Sequence, residues 1–339
     1  MIRVGIIGAG KMCQNGHLPA YDKIDECEIV AICDISQDKL DAMAKRYPSA
    51  TLYTDFKEMI DKETLDCVDI CTPNNVHSTA AVYALNAGIH VLTEKPDAIN
   101  VAEAEKMKAA AEASGKVLMA IRNNRYRAAT KYLKEFIKNG EMGEIYAGRC
   151  GWIRRRGIPG WGGWFTNKEQ SGGGPLIDLG VHLIDLSMYL MGNAKPVTVS
   201  GSTYSKFAHA SQAKMDVEDL AMGFIRFDNG ACLQIEFSWA SNIAGDQMFV
   251  ELRGEKAGAR ISGLDGKFEI FKEEYGTNVN VTPCLNDYMH HHEANIRHFI
   301  DVINGRCEPD FTPEQGLNMV KILEALYKSA ELGHEIAID

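Results

Sequence analysis

Asp178, His182, Asp185 and Tyr189 stand four, three and four residues apart in the stretch SGGGPLIDLGVHLIDLSMYL (171–190). At about 100° per helical residue they fall within a stripe only ~60° wide. Leu176, Ile177, Leu179, Val181, Leu183, Ile184, Leu186, Met188 and Leu190 cover the rest of the cylinder. A surface helix carries a broader polar face, usually furnished with lysine and glutamate. This one is therefore expected to be buried on most sides, with its carboxylate and imidazole edge turned to a partner or a cleft. A core helix whose thin wet edge happens to hold Asp and His is the plainer reading of the stretch taken alone.

Three further stretches carry residues suited to ligand chemistry. In VGIIGAGKMC (4–13) Gly8 and Gly10 lie at a strand-to-helix turn, where backbone approaches a pyrophosphate and the helix N-terminus receives its charge, with Lys11 and Met12 beside it. Cys13 occupies the third glycine position of the dinucleotide fingerprint, a departure that a small side chain tolerates. Asp34 closes the second strand, 26 residues after Gly8, where a carboxylate bonds a ribose 2'-hydroxyl and repels a 2'-phosphate. Its neighbours Ile35 and Ser36 offer no arginine, which favours NAD over NADP. CTPNNVH (71–77) places Thr72, Pro73, Asn74 and His77 at the ligand edge of such a sheet, either touching cofactor or forming only a loop, cap and first-turn histidine. In LTEKPDAI (92–99) Glu94 and Lys95 end an apolar strand and Pro96 stops regular pairing. A lysine there points into the ligand crevice, unless it is simply a solvated loop residue.

These residues need elements to hold them. Val- and Ile-rich runs at 4–7, 28–34, 67–72, 90–94 and 116–120 alternate with helical patterns at 38–47, 76–88 and 101–115. Such alternation predicts parallel βαβ units and a doubly wound sheet. After about residue 125 the order changes. A helix at 128–138 and the Asp178–His182 helix precede successive strands at 198–204, 219–227, 231–239, 247–254, 259–262 and 267–271, with a hairpin turn at DNGA (228–231). Helices at 289–304 and 313–332 finish the chain. The fold class is thus α/β: an N-terminal Rossmann domain (1–124) and a C-terminal α+β domain (125–339) with a large, mostly antiparallel open sheet. A sheet covered by helices on one face leaves the other for a second subunit, so a homodimer or homotetramer is expected.

A chain of 339 residues with 45% hydrophobic and 24% charged residues is ordinary for two globular domains. A formal net charge of −10 argues against a general nucleic-acid or anionic-membrane surface and for a small ligand. The chain lacks a transmembrane-length apolar run and a signal-peptide pattern, and its nine scattered cysteines contain no CxxC pair. A cytoplasmic location is expected. YMHHHEANIRHF (288–299) suggests a metal through His290, His291, His292 and His298, but adjacent histidines diverge by about 100° on a helix, so no metal is expected.

GAGKMC, Asp34, TPNNVH, EKP, NNRYR (123–127) and SGGGPLIDLGVHLID, in this order, resemble the glucose-fructose oxidoreductase, inositol dehydrogenase and rhizopine-catabolism (Gfo/Idh/MocA) family. The resemblance runs from the first strand to the final helices. It implies a Rossmann domain, a nicotinamide cofactor, a sugar, inositol or polyol substrate, and Lys95, Asp178 and His182 as the catalytic group. His182 suits a general base for a secondary hydroxyl, Asp178 can orient it or hold a neighbouring hydroxyl, and the Lys95 ammonium can stabilise developing alkoxide charge. Asn123 is expected at the cofactor and Arg125 at the substrate. Substrate contacts are also expected from Arg156, Trp161 and Trp164 of WIRRRGIPGWGGWF (152–165), since aromatic faces stack on sugar rings, and from Tyr288. The expected function is NAD-dependent dehydrogenation of a sugar, glycoside or cyclitol. The alternatives are glycoside cleavage by transient oxidation and elimination, and a non-catalytic dinucleotide or sugar sensor.

Overall fold

The computed structural model describes the chain except for residues 209–213, 264–265 and 287–290. Two compact units form, Met1–Asn123 with Met289–Leu317, and Asn124–Tyr288 with Asn318–Asp339.

The first unit is built on β1 (Ile2–Ile7), β2 (Cys27–Cys33), β3 (Thr51–Tyr53), β4 (Cys67–Ile70), β5 (His90–Thr93) and β6 (Leu118–Ala120). They form a parallel sheet in the order β3-β2-β1-β4-β5-β6. The expected Rossmann arrangement is therefore present, extended by β3, a short edge strand. Its apolar runs are continuous because helices cover both faces, and Val4, Ile6, Ile32, Val68, Ile70 and Val91 are fully buried. The chain reverses direction across the sheet between β1 and β4, so the turns after β1, β4 and β5 open at one edge. The segment from Met289, expected in the second domain, clusters instead with the first. The cause is packing: helix His291–Ile303 places Ile296, Phe299 and Ile300 in the same core as Val4, Ile6 and Leu18.

The second unit holds nine strands: β7 (Ile145–Ile153), β8 (Pro196–Tyr204), β9 (Leu220–Phe227), β10 (Cys232–Ser238), β11 (Gln247–Gly254), β12 (Ala257–Ser262), β13 (Phe268–Glu274), β14 (Thr277–Val281) and β15 (Ile336–Ala337). Their order is β14-β13-β12-β11-β7-β10-β9-β8-β15, antiparallel throughout except for the parallel pair β7–β10. The turn at Asp228–Gly230 joins β9 to β10, with Gly230 at φ +86° and Phe227 N–H donating to Ala231 C=O at 2.9 Å. Against β7, β10 and β11 lies the helix of the opening motif. It starts as a π-helical stretch, Leu176–Gly180, and continues as α-helix Val181–Leu190. Among the described residues no helix is long and apolar enough to cross a membrane.

Candidate functional site

Between residues 173 and 190 only Asp178, His182 and Tyr189 escape full burial. The narrow wet edge read from the sequence is real, but it is divided. Asp178, in the π-helical turn, accepts a hydrogen bond from Trp239 Nε1 at 3.0 Å, and Trp239 is itself fully buried. His182 packs beside Trp152 of β7, ring centroids 6.2 Å apart. Asp185 turns inward and takes a two-point bond from Arg125, 2.9 Å from Nε and 2.6 Å from Nη2. The Arg125 guanidinium lies 4.6 Å from the centre of the Tyr189 ring and is 3% exposed. Arg125, expected at the substrate, thus serves to anchor the helix, because a buried carboxylate needs a charged partner.

The glycines ahead of this helix are required by close contacts. A Cβ on Gly173 would stand 2.0 Å from Tyr327 Oη, and one on Gly174 2.1 Å from the Glu218 carbonyl oxygen. The Glu218 carboxylate accepts from Gly174 N–H (2.9 Å), Leu176 N–H (3.1 Å) and Tyr327 Oη (2.9 Å), capping donors that the helix start leaves unpaired. Burial raises its pKa, against the lowering effect of those bonds. Neither Glu218 nor Trp239 was legible as a site residue, since Glu218 stands between Asp216 and Asp219 and nothing local distinguishes it.

In the loop 152–165, Arg156 donates to Ser241 C=O at 2.9 Å and Asn242 Oδ1 at 2.8 Å, and covers Phe207. This pins the loop and makes Arg156 a structural residue in this conformation. Trp164 stacks on Phe165 at 3.8 Å, while Trp161 is 37% exposed. Tyr288 and His290 lie outside the described residues. Of the other histidines singled out in the sequence, His292 faces His17, ring centroids 5.8 Å apart, and His298 Nε2 faces Asp310 Oδ1 at 3.3 Å. His292 and His298 thus face different partners.

At the strand ends of the first unit, Gly8 has φ +96°, and a Cβ there would collide with the Cys71 backbone at 2.8 Å. Gly10 is open, with nothing nearer to its missing Cβ than Cys71 O at 4.0 Å, leaving the turn bare for a ligand. The Asp34 carboxylate accepts from Ala9 N–H at 2.8 Å and Ser36 N–H at 2.9 Å, so it stands directly beside the glycine turn. Lys39, which sequence reading passed over, reaches it at 3.1 Å. Thr72 Oγ1 and Asn123 Oδ1 are buried atoms without a hydrogen-bond partner within the chain, as polar groups reserved for a ligand would be. Lys11, Met12 and Ile35 are exposed around the turn, and Pro73 caps helix Asn74–Asn86. Glycine turn, ribose-side acid and unpartnered polar atoms fit a dinucleotide.

Two residues near that edge, His77 and Glu94, are bonded within the chain. His77 is fully buried, 2.8 Å from Pro96 O and 3.0 Å from Thr72 O, and so ties two loops together. Burial lowers its pKa, outweighing the two carbonyl contacts. Glu94 is 7% exposed and accepts from His17 Nε2 at 2.8 Å. Lys95 is the one residue between 91 and 98 that is not buried.

Residues 2–121 match the oxidoreductase family's NAD-binding Rossmann fold, and residues 134–338 match its C-terminal alpha/beta domain. The chain belongs to the Gfo/Idh/MocA family of oxidoreductases. Its cofactor is NAD. Among its relatives, D-glucoside 3-dehydrogenase of Escherichia coli is 34% identical over 99% of this chain and 97% of its own length. Myo-inositol 2-dehydrogenase of Thermotoga maritima is 25% identical over 100% of this chain and 99% of its own. A levoglucosan dehydrogenase solved with NADH and L-sorbose superposes with a TM-score of 0.90 at 22% identity, covering 100% of this chain and 99% of the other, and so shares the fold.

Proposed function

We propose that this Gfo/Idh/MocA oxidoreductase transfers a hydride between a secondary hydroxyl of a sugar, glycoside or cyclitol and NAD. Bound nicotinamide supplies the hydride acceptor at its C4. His182 is the general base that removes the hydroxyl proton, and in the reverse direction its protonated ring is the acid. Asp178, held by Trp239, orients the base or a neighbouring substrate hydroxyl. The Lys95 ammonium donates to the reacting oxygen and stabilises alkoxide charge as it develops. The observation that carries this reading is that Asp178 and His182 are left half-buried, with Tyr189, on a helix otherwise sealed in apolar packing. The relatives named above, which act on a glucoside and an inositol, support the substrate class and make glucosides the first compounds to try.

The test is a panel of glucosides, free sugars and inositols with NAD and NADP, following the absorbance of reduced nicotinamide. His182→Ala is expected to lower kcat by about 100- to 10,000-fold while NADH binding is retained. Unchanged turnover would remove His182 from its role. Release of an aglycone without NADH accumulation would redirect the reading to cleavage by transient oxidation.

A further inference from the structure

A second cluster of titratable side chains lies in the first unit, unused by the reaction as described. His17, on the helix that follows the glycine turn, is fully buried, as is Asp69 in the middle of β4. Its Nδ1 is 2.7 Å from Asp69 Oδ2 and its Nε2 is 2.8 Å from Glu94 Oε1. Both partners are acceptors when ionised, so both bonds require a proton on each ring nitrogen. The other oxygen of Glu94 accepts from the backbone N–H of Lys95 at 3.1 Å. The chain of contacts therefore runs from the helix of the glycine turn, through an imidazole and a carboxylate, to the main chain of the lysine assigned to the reaction.

We infer that His17 is a positioning residue: a buried imidazolium that clamps Glu94, and through it the Lys95 backbone, to the helix that seats the dinucleotide. The inference rests on the proposed role of Lys95. Burial alone disfavours charge on His17, but Asp69 and Glu94 outweigh it and hold its pKa well above the ordinary histidine value. Glu94 answers in kind: burial pushes its pKa up, and the His17 bond and charge, with Lys95 and His292, pull it below the usual carboxylate range. Among the described residues, the groups facing the imidazole are Asp69 and Cys71 from β4 and its end, Glu94 from the end of β5, and His292 from helix His291–Ile303, with the Lys95 charge acting on Glu94. Tyr21 and Cys13, on its own helix, stand beside Asp69 and Cys71. His17 with Asp69 and Cys71, or with Glu94 and His292, is compact enough to suggest a metal. The 2.7 and 2.8 Å separations are those of hydrogen bonds, shorter than the spacing between two ligands of one tetrahedral ion.

His17→Gln keeps a hydrogen-bonding side chain and removes the charge. Without it, one of the two buried carboxylates must take up a proton, Glu94 loses its fixed orientation and Lys95 its anchor. The expected result is a kcat lower by about 100-fold, a KM for NAD within about threefold of the parent, and a new ionisation in the pH profile of kcat from the released carboxylate. Glu94→Gln, which keeps the His17–Asp69 pair, is expected to lower kcat without adding that ionisation. A His17→Gln enzyme with parental kcat and an unaltered pH profile overturns the inference. In the intact ¹⁵N-histidine-labelled protein, two imidazole N–H signals from His17 are expected at pH 7, and a single one overturns it equally. That second readout needs no substrate: failure of the whole sugar panel would count against the proposed function, while the state of the His17 ring would still be decided.

Discussion

His17 and His77 occupy neighbouring parts of one unit, both with no exposed surface and both with oxygen opposite each ring nitrogen. Around His17 the oxygens belong to ionised carboxylates; around His77 they belong to the carbonyls of Thr72 and Pro96. The first ring is held charged and the second neutral. The same burial thus has opposite results, because a full negative charge repays the desolvation of an imidazolium and a carbonyl dipole does not. Seen this way, a buried histidine in an α/β domain is defined by the charge of its partners before its depth.

The largest effect that would break this comparison is on stability. His17→Leu leaves Asp69 and Glu94 face to face in the interior, and a loss of about 3–5 kcal/mol in chemical denaturation is expected. A loss near zero would mean that the carboxylates find protons at little cost. His77→Leu removes the one N–H that the neutral ring can donate to a buried carbonyl and should cost about 1–3 kcal/mol in the same assay. The smallest effect, and the sharpest, is on pH dependence. A raised folded pKa means that His17 contributes fully below its unfolded value of about 6.5 and loses that contribution as pH rises through the folded value. His77, with a lowered folded pKa, contributes above about 6.5 and loses its contribution as pH falls through the folded value. Denaturation midpoints across pH should therefore flatten on the alkaline side in a His17 variant and on the acid side in a His77 variant. The same flattened limb in both would erase the distinction.

The parallel sheet was readable because its strands are buried on both faces and so appear as unbroken apolar runs. β7, the strand at the centre of the other sheet, was not. Its sequence, IYAGRCGWI, is interrupted by glycines and an arginine. The glycines are there because a Cβ on Gly148 would press on Leu252 at 3.0 Å and one on Gly151 on the Glu236 carbonyl at 3.0 Å. Such constraints come from strands roughly a hundred residues away and leave no local pattern. The polar helix edge was legible as a set of residues but not as two groups, since His182 and Asp185 share the regular α-helix Val181–Leu190 and only the partner Arg125 sets Asp185 apart. That Asp185 and Tyr189 serve Arg125 depends on a partner 60 residues earlier. His17 went unnoticed although Asp69, an acid inside a wholly buried strand, required some partner.

The return of the chain from Met289 to Leu317 into the first unit has a consequence for synthesis. A ribosome that has released the first 123 residues has made every strand of the Rossmann sheet but not the helix bearing Ile296, Phe299 and Ile300. The unfinished apolar side of that sheet must wait while β7 to β14 of the other sheet are translated. The nucleotide-binding half, although encoded first, is completed nearly last, and during that interval it is the part of the nascent chain most in need of a chaperone.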